Sequence, residues 1–422
     1  MDVARWYRIL EVKQDMTFRS VFIAVFIGTA LIVAAILINR ARPPIETAQP
    51  APEYVRASGK CAGCHSKETS AIVHQFSMSA HARAGITCYD CHYPQAGQEQ
   101  FTHNGFTLAK TLTALNCAQC HSTEYDQFLK SRHAAPAWAA VRGEEAFTPE
   151  QIAFSEKYHE GAVKRPPNEL TIAQWEGVLE LGCESCHAIG KPNTDGSIGS
   201  CTHCHARHST SIALARQPET CGQCHMGPDH SQLEIYNESK HGVLFNLQRS
   251  ILNLNASPKN LTTRDMSVPT CATCHMSGLE GMNVTHDVTE RLSWWLFSAI
   301  SKKRPNYIMG QEAMKNICLK CHAKPQVEKF YEEAEVVLHS TNKKVQEALD
   351  LVAELRQEGL LTPEPFDEPI EFLAFDMWHY YGRTAKHGAF MGGADFVQWH
   401  GNYELLLHIV EMKDMARELR AD

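Results

Sequence analysis

The stretch CGQCHMGPDH, residues 221–230, sets how the rest of the chain is read. It opens with Cys221, Cys224 and His225 in the spacing Cys-x-x-Cys-His, and it closes with Asp229 beside His230, just after a Gly-Pro that turns the chain. The same spacing starts at Cys61, Cys88, Cys117, Cys183, Cys201, Cys221, Cys271 and Cys318, and it consumes all 16 cysteines. The second cysteines are Cys64, Cys91, Cys120, Cys186, Cys204, Cys224, Cys274 and Cys321. Disulfides or zinc would account for paired cysteines. Neither explains a histidine after every pair. The pattern is that of c-type haem attachment, in which two thioethers hold the macrocycle and the following histidine donates one axial nitrogen to iron. Eight covalently bound haems are expected, with His65, His92, His121, His187, His205, His225, His275 and His322 as proximal ligands.

Eight macrocycles in 422 residues supply much of the apolar interior themselves, so the expected fold class is mainly α, with little strand and long irregular stretches. The formal charge of −8, made more negative by haem propionates, excludes nucleic acid as a natural partner. Residues 21–38 (VFIAVFIGTALIVAAILI) are uncharged and long enough for a transmembrane helix. Arg5, Arg8, Lys13 and Arg19 precede this run, a positive-inside bias that places the N-terminus in the cytoplasm. The expected organisation is a cytoplasmic segment 1–20, an inner-membrane anchor 21–38, a Pro-rich tether 39–56, a periplasmic haem domain 57–325 and a helical region 326–422. In the last of these, Val345, Leu349, Val352 and Leu355 share one helical face. A Pro-rich break (TPEPFDEP, 362–369) precedes a second helical stretch, and two long helices so joined are expected to pack antiparallel.

Fifteen of the 23 histidines lie outside the motif positions, enough to close every remaining axial site. Counting therefore leaves two classes open: an electron conduit with every iron saturated, or an enzyme with one iron open. The histidines also contain a repeat. FSMSAH (76–81), FLKSRH (128–133) and YNESKH (236–241) share the pattern aromatic-x-x-Ser-x-His, which marks His81, His133 and His241 as distal ligands.

From Gly182 to Gly242 the text GCESCHAIG, CTHCHARH, PETCGQCHMGPDH and SKHG resembles the octahaem hydroxylamine oxidoreductase family, as does RTAKHGAFMGGADFVQWHGNYE near the C-terminus. The resemblance implies a compact octahaem core with a C-terminal helical bundle, usually a homotrimer. It implies that Cys183, Cys186 and His187 hold the active-site haem with its distal face open, and that Asp229 and His230 are the catalytic acid–base pair over that face. A histidine beside a carboxylate suits chemistry that moves several protons. His208, His286 and His103 match distal positions, and His387 and His400 both sit in family-like text.

Hydroxylamine-oxidising members crosslink the active-site haem to a tyrosine of an adjacent subunit. The matching position here is Phe396, which has no phenol; Tyr380, Tyr381 and Tyr403 lie nearby in sequence. The resemblance to crosslink-lacking members implies reduction of nitrite, and of hydroxylamine, to ammonium, fed by a quinol-oxidising or cytochrome partner. The alternatives are hydroxylamine or hydrazine oxidation at a crosslinked haem, and a non-catalytic conduit.

Overall fold

The computed structural model describes residues 25–31, 33–34 and 59–421. Most of the expected cytoplasmic segment, anchor and tether lies outside these residues. Residues 25–31 and 33–34 are helical, and among the described residues no helix is long and apolar enough to cross a membrane.

Each Cys-x-x-Cys-His builds the same local unit, a single helical turn. Cys88–His92, Cys183–His187 and Cys271–His275 are five-residue helices. Elsewhere the turn closes by donation from the histidine N–H to the first cysteine's carbonyl: His121 to Cys117 at 2.9 Å, His205 to Cys201 at 3.0 Å, His225 to Cys221 at 3.0 Å and His322 to Cys318 at 2.9 Å. Residues i, i+3 and i+4 of a helix share one face, so both sulfurs and the imidazole point the same way. The flanking residues cap these turns. Thr87 and Asp90 form a reciprocal capping box around Cys88–His92, for example.

Helices are short through the haem-binding part, and the apolar clusters there are small. One comprises Ala134, Ala135, Trp138, Ala139, Phe147, Val163 and Ile198. The single sheet among the described residues is a hairpin, Gln100–His103 against Phe106–Ala109. Its two-residue turn, Asn104-Gly105, has φ of 48° and 80°, the double positive φ that Asn-Gly supplies in a hairpin of primed type.

The C-terminal region holds the largest apolar cluster. Helix Lys324–Gln357 runs unbroken and buries Val345, Ala348, Val352 and Leu355, with Leu349 partly buried against them. The expectation of two antiparallel long helices is corrected here. The returning stretch, Pro369–Met391, does run antiparallel: Arg356 pairs with Glu371, and the rings of Tyr331 and Phe390 meet at 6.1 Å. It then stops at Gly392, whose φ of 75° is the left-handed cap that glycine supplies without cost. The chain folds back into a third helix, Tyr403–Ala421, parallel to the first, where Lys413 reaches Glu347 at 2.5 Å and Arg420 reaches Glu358 at 2.7 Å. Two wide π-helical turns, Asp376–Gly382 and Gln398–Asn402, interrupt this bundle.

One glycine fixes how the fourth motif seats. A Cβ at Gly190 would overlap the carbonyl oxygen of Ala134, the residue after His133. Gly190→Ala is therefore expected to force the two segments apart and cost about 1–3 kcal/mol, as overpacking of a closed contact does. Chemical denaturation of the haem-loaded protein checks this, and an unchanged midpoint would show that the contact yields freely.

Candidate functional site

The motif histidines face other histidines. Ring centroids lie 6.1 Å apart for His65 and His103, 6.0 Å for His121 and His81, and 6.5 Å for His205 and His286. They lie 5.8 Å apart for His225 and His133, and 5.9 Å for His322 and His241. A metal with imidazole nitrogens ~2 Å away on opposite sides holds the ring centroids roughly 6 Å apart. The five pairs fit a haem iron between two imidazoles. His92 has no ring partner at this spacing among the described residues, but after burial the charges that depress its pKa are those of His208 and His65. His275 has no facing imidazole at this spacing among the described residues either.

The serine of the histidine repeat caps the chain. In all three copies its N–H donates to the carbonyl of the aromatic three residues earlier: Ser79 to Phe76 and Ser131 to Phe128 at 2.9 Å, and Ser239 to Tyr236 at 3.1 Å. Its hydroxyl then accepts from a backbone N–H just ahead: Ala82 at 3.0 Å, His133 at 3.2 Å and Gly242 at 3.2 Å. For Ser79 and Ser239 this is N-cap geometry that presents His81 and His241 in the first turn of a helix, whereas Ser131 holds His133 in the turn just before helix Ala135–Arg142. A strained loop does related work, since His208 and Thr210 hold φ of 66° and 41°. Thr210 Oγ1 thereby meets Nδ1 of His81 at 2.8 Å, which fixes the ring.

Burial holds His133, His205 and His275 down to about 4 and His225 to about 3. These imidazoles are neutral at pH 7, the form that donates a lone pair to a metal. Where Nδ1 meets a carbonyl it must donate, which leaves Nε2 as the free lone pair. Nδ1 of His187 donates in this way to the carbonyl of Ala137 at 2.5 Å, inside helix Ala135–Arg142.

His187 faces His230, not a member of the serine repeat. The two rings are edge-on, 6.4 Å apart and 88° to one another. Nδ1 of His230 meets Asp229 Oδ2 at 2.6 Å. Among the described residues none of His81, His103, His133, His241 or His286 has such a carboxylate partner. His230 also lies 6.2 Å from His225, 5.2 Å from Phe297 and 6.4 Å from His379. Burial pushes the Asp229 carboxyl up. The His230 hydrogen bond, with the charges of His230, His379 and Arg383, outweighs this and brings it to about 2. Asp229 is thus ionised across the working pH range. It orients His230 and stabilises a charge on it, and it does not itself carry a proton.

Three participants escaped the sequence reading. His379 comes from the π-turn Asp376–Gly382, stacked on Phe375 at 4.4 Å, with Nδ1 3.8 Å from Asp229. Arg383 donates from Nε to the Phe297 carbonyl at 3.0 Å, and the buried Lys386 donates from Nζ to the carbonyls of Ser298 at 2.8 Å and Ala299 at 3.3 Å. Their spacing with His387 (i, i+3, i+4) was the available signal. His387 is buried 4.6 Å from Phe297, with Nδ1 donating to the Arg383 carbonyl at 2.8 Å. His400 lies at the surface, paired with Asp395 at 2.7 Å. Phe396 is buried and stacks on His400 at 5.1 Å.

Repeated Cys-His turns, opposed imidazoles and a mainly helical wrapper define a multihaem c-type cytochrome. Residues 84–369 match the family model described as "Seven times multi-haem cytochrome CxxCH", and the chain belongs to that family. Seven of its motifs, Cys88 to Cys318, lie in that span, and its haems are covalently bound c-type haems with iron. The chain is 25% identical over 404 residues to a probable nitrite reductase–hydroxylamine oxidoreductase fusion protein of Kuenenia stuttgartiensis. That alignment takes in 81% of this chain and 45% of the relative, so the chain spans under half the length of the curated relative it matches. A solved hypothetical multiheme protein shares the fold with a TM-score of 0.73 and 24% identity, over 89% of this chain and 97% of that one. A reducing HAO-like protein complex of Kuenenia stuttgartiensis shares it with a TM-score of 0.65 and 18% identity, over 88% and 87%.

His133→Met is expected to leave haem attachment intact and raise the midpoint potential of one low-spin haem, because Met/His ligation lies above bis-His. A redox titration that matches the parent protein would remove His133 from the ligand set.

Proposed function

We propose that the protein is an octahaem oxidoreductase that reduces nitrite, and hydroxylamine, to ammonium at the haem held by Cys183, Cys186 and His187. One observation carries this reading: the imidazole facing His187 is the one whose Nδ1 is tied to a carboxylate. The five facing imidazole pairs serve electron transfer; the Asp229–His230 pair serves protons. The fold relatives and the relative's printed name support the same chemistry.

When bound, the haem supplies an iron that takes the substrate and passes it electrons. The chain's own residues do the rest. Nitrite becomes ammonium by taking six electrons and eight protons and releasing two waters, so proton supply limits the design as much as electron supply. His230 carries each proton at its ring, re-armed from solvent, because its side chain is 24% exposed and that of Asp229 36%. Asp229 stays anionic and holds the ring in place. The Ala137 carbonyl fixes the His187 ring, so that its Nε2 would hold a metal on the side facing His230. Phe396 offers no phenol for the crosslink of the oxidative members, which favours the reductive direction. We place the haem domain in the periplasm on the 21–38 anchor, as a homotrimer fed by a quinol-oxidising or cytochrome partner.

One observation favours a second reading. The 6.4 Å between His187 and His230 is also bis-His spacing, which would make His230 a ligand and the protein a conduit. Spacing alone does not make a ligand pair, however, since His230 stands 6.2 Å from His225, which already faces His133 at 5.8 Å. His230→Ala is expected to lower nitrite turnover by ~10²–10⁴-fold with haem content unchanged, and the resting parent protein to show one high-spin haem by EPR. Wholly low-spin spectra would establish the conduit. A red-shifted haem band in the reduced protein would instead establish a crosslinked, oxidative site.

A further inference from the structure

Several guanidinium groups beside the site form no direct salt bridge to a carboxylate among the described residues. Arg132, next to His133, makes no side-chain hydrogen bond or salt bridge among the described residues, and it lies 4.9 Å over the ring of Trp295. Arg304 covers the same indole at 4.5 Å but is tied to the carbonyl of Thr289. Phe297, two residues beyond Trp295, lies under Arg383 at 5.3 Å, and Trp378 lies 5.0 Å from the same guanidinium. Its Nε is bound to Phe297, and its two terminal nitrogens have no protein partner among the described residues. Arg165 likewise has no side-chain partner there. These charges lie close enough to act on one another: after burial, Arg383 feels Asp229 first and then Arg132 and Arg165, and Arg132 feels Arg304 and Arg165 and then Glu156.

The carboxylates whose charges act on these guanidiniums are already committed, Asp287 among them through the N–H and hydroxyl of Thr289. Asp229 is bound to His230, and Glu156 accepts from the N–H groups of Gly161, Val163 and Lys164 at 2.5–3.0 Å. Contact with an aromatic face is worth about 0.5–2 kcal/mol per cation. It does not relieve repulsion among like charges drawn out of water, which needs an anion between them. A guanidinium fork presents paired donors that match a carboxylate or a bent oxyanion.

We propose that Arg132 and Arg383 line an oxyanion-binding lane that runs along Trp295 and Phe297 to His230. Its ligand is a planar carboxylate-like anion, supplied by a haem propionate or by the nitrite substrate. The substrate source rests on the reading of His187 as holder of the open haem, whereas the lane itself does not.

The test uses the full-length, haem-loaded protein with Arg383→Gln and Arg132→Gln, and with Arg383→Lys to keep the charge while losing the fork. Haem content and thermal stability screen for misfolding. Two readouts are taken: nitrite affinity from a spectral titration of the high-spin haem, and midpoint potentials without nitrite. Nitrite as occupant predicts binding about tenfold weaker in Arg383→Gln, the loss of one charge-assisted hydrogen bond, with partial recovery in Arg383→Lys and potentials unchanged. A propionate as occupant predicts a downward shift in one low-spin potential with nitrite affinity unchanged. Parent values for both readouts in both Gln variants overturn the lane. A parent protein with no high-spin haem defeats the open-site reading, and the potentials then decide the lane alone.

Discussion

The haem-binding part is organised by the spacing that brings motif imidazoles to about 6 Å from a second imidazole, the span a metal between two rings requires. The distance is short, about the depth of two rings and two coordination bonds, and each pair joins residues distant in sequence. His133 and His225 meet at 5.8 Å across 92 positions, for example. The chain meets this requirement with small parts. One helical turn aims two sulfurs and a nitrogen, and a serine cap aims the opposing histidine. Neither part needs a long helix or a large core, and the apolar clusters around them stay at a handful of residues. Only past the last motif, where no macrocycle remains to be enclosed, does the chain form a 34-residue helix and a bundle with a core of its own.

Local signals in the sequence therefore read well. The Cys-x-x-Cys-His turns are complete in five residues, and the serine–histidine repeat is complete in six. The pairing of Asp229 with His230 is a property of neighbours and was equally plain. The repeat held more than its spacing showed: the serine's task is to cap the backbone, and the aromatic three residues earlier supplies the carbonyl that closes the turn. The Asn104-Gly105 hairpin that carries His103 was a local signal too, hidden among expectations of helix.

What could not be read was anything assembled across the chain by a change of direction. His379 and Arg383 reach Asp229, 150 or more positions away, because the π-turn rotates the helix face between them. No periodicity in the sequence announces an i+5 turn. The same holds for the third helix of the bundle: Gly392-Gly393 was in view, but whether a chain bends or continues there is decided by what it packs against. His387 and His400 show the limit most simply. They are thirteen residues apart in similar text; one ends buried beside Phe297 and the other in a surface ion pair.

The grip of the bundle on residues 297–299 has a consequence for how such proteins diverge. Arg383 and Lys386 both hydrogen-bond to main-chain carbonyls of that segment. Those hydrogen bonds do not depend on the side chains it displays, although the Phe297 ring adds its own contacts with Arg383 and His387. Phe297, wedged between His230 and His387, stands on an anchored backbone yet is free to change identity. A lineage can change the bulk or polarity beside His230 by single substitutions there while the main-chain hydrogen bonds from Arg383 and Lys386 stay in place.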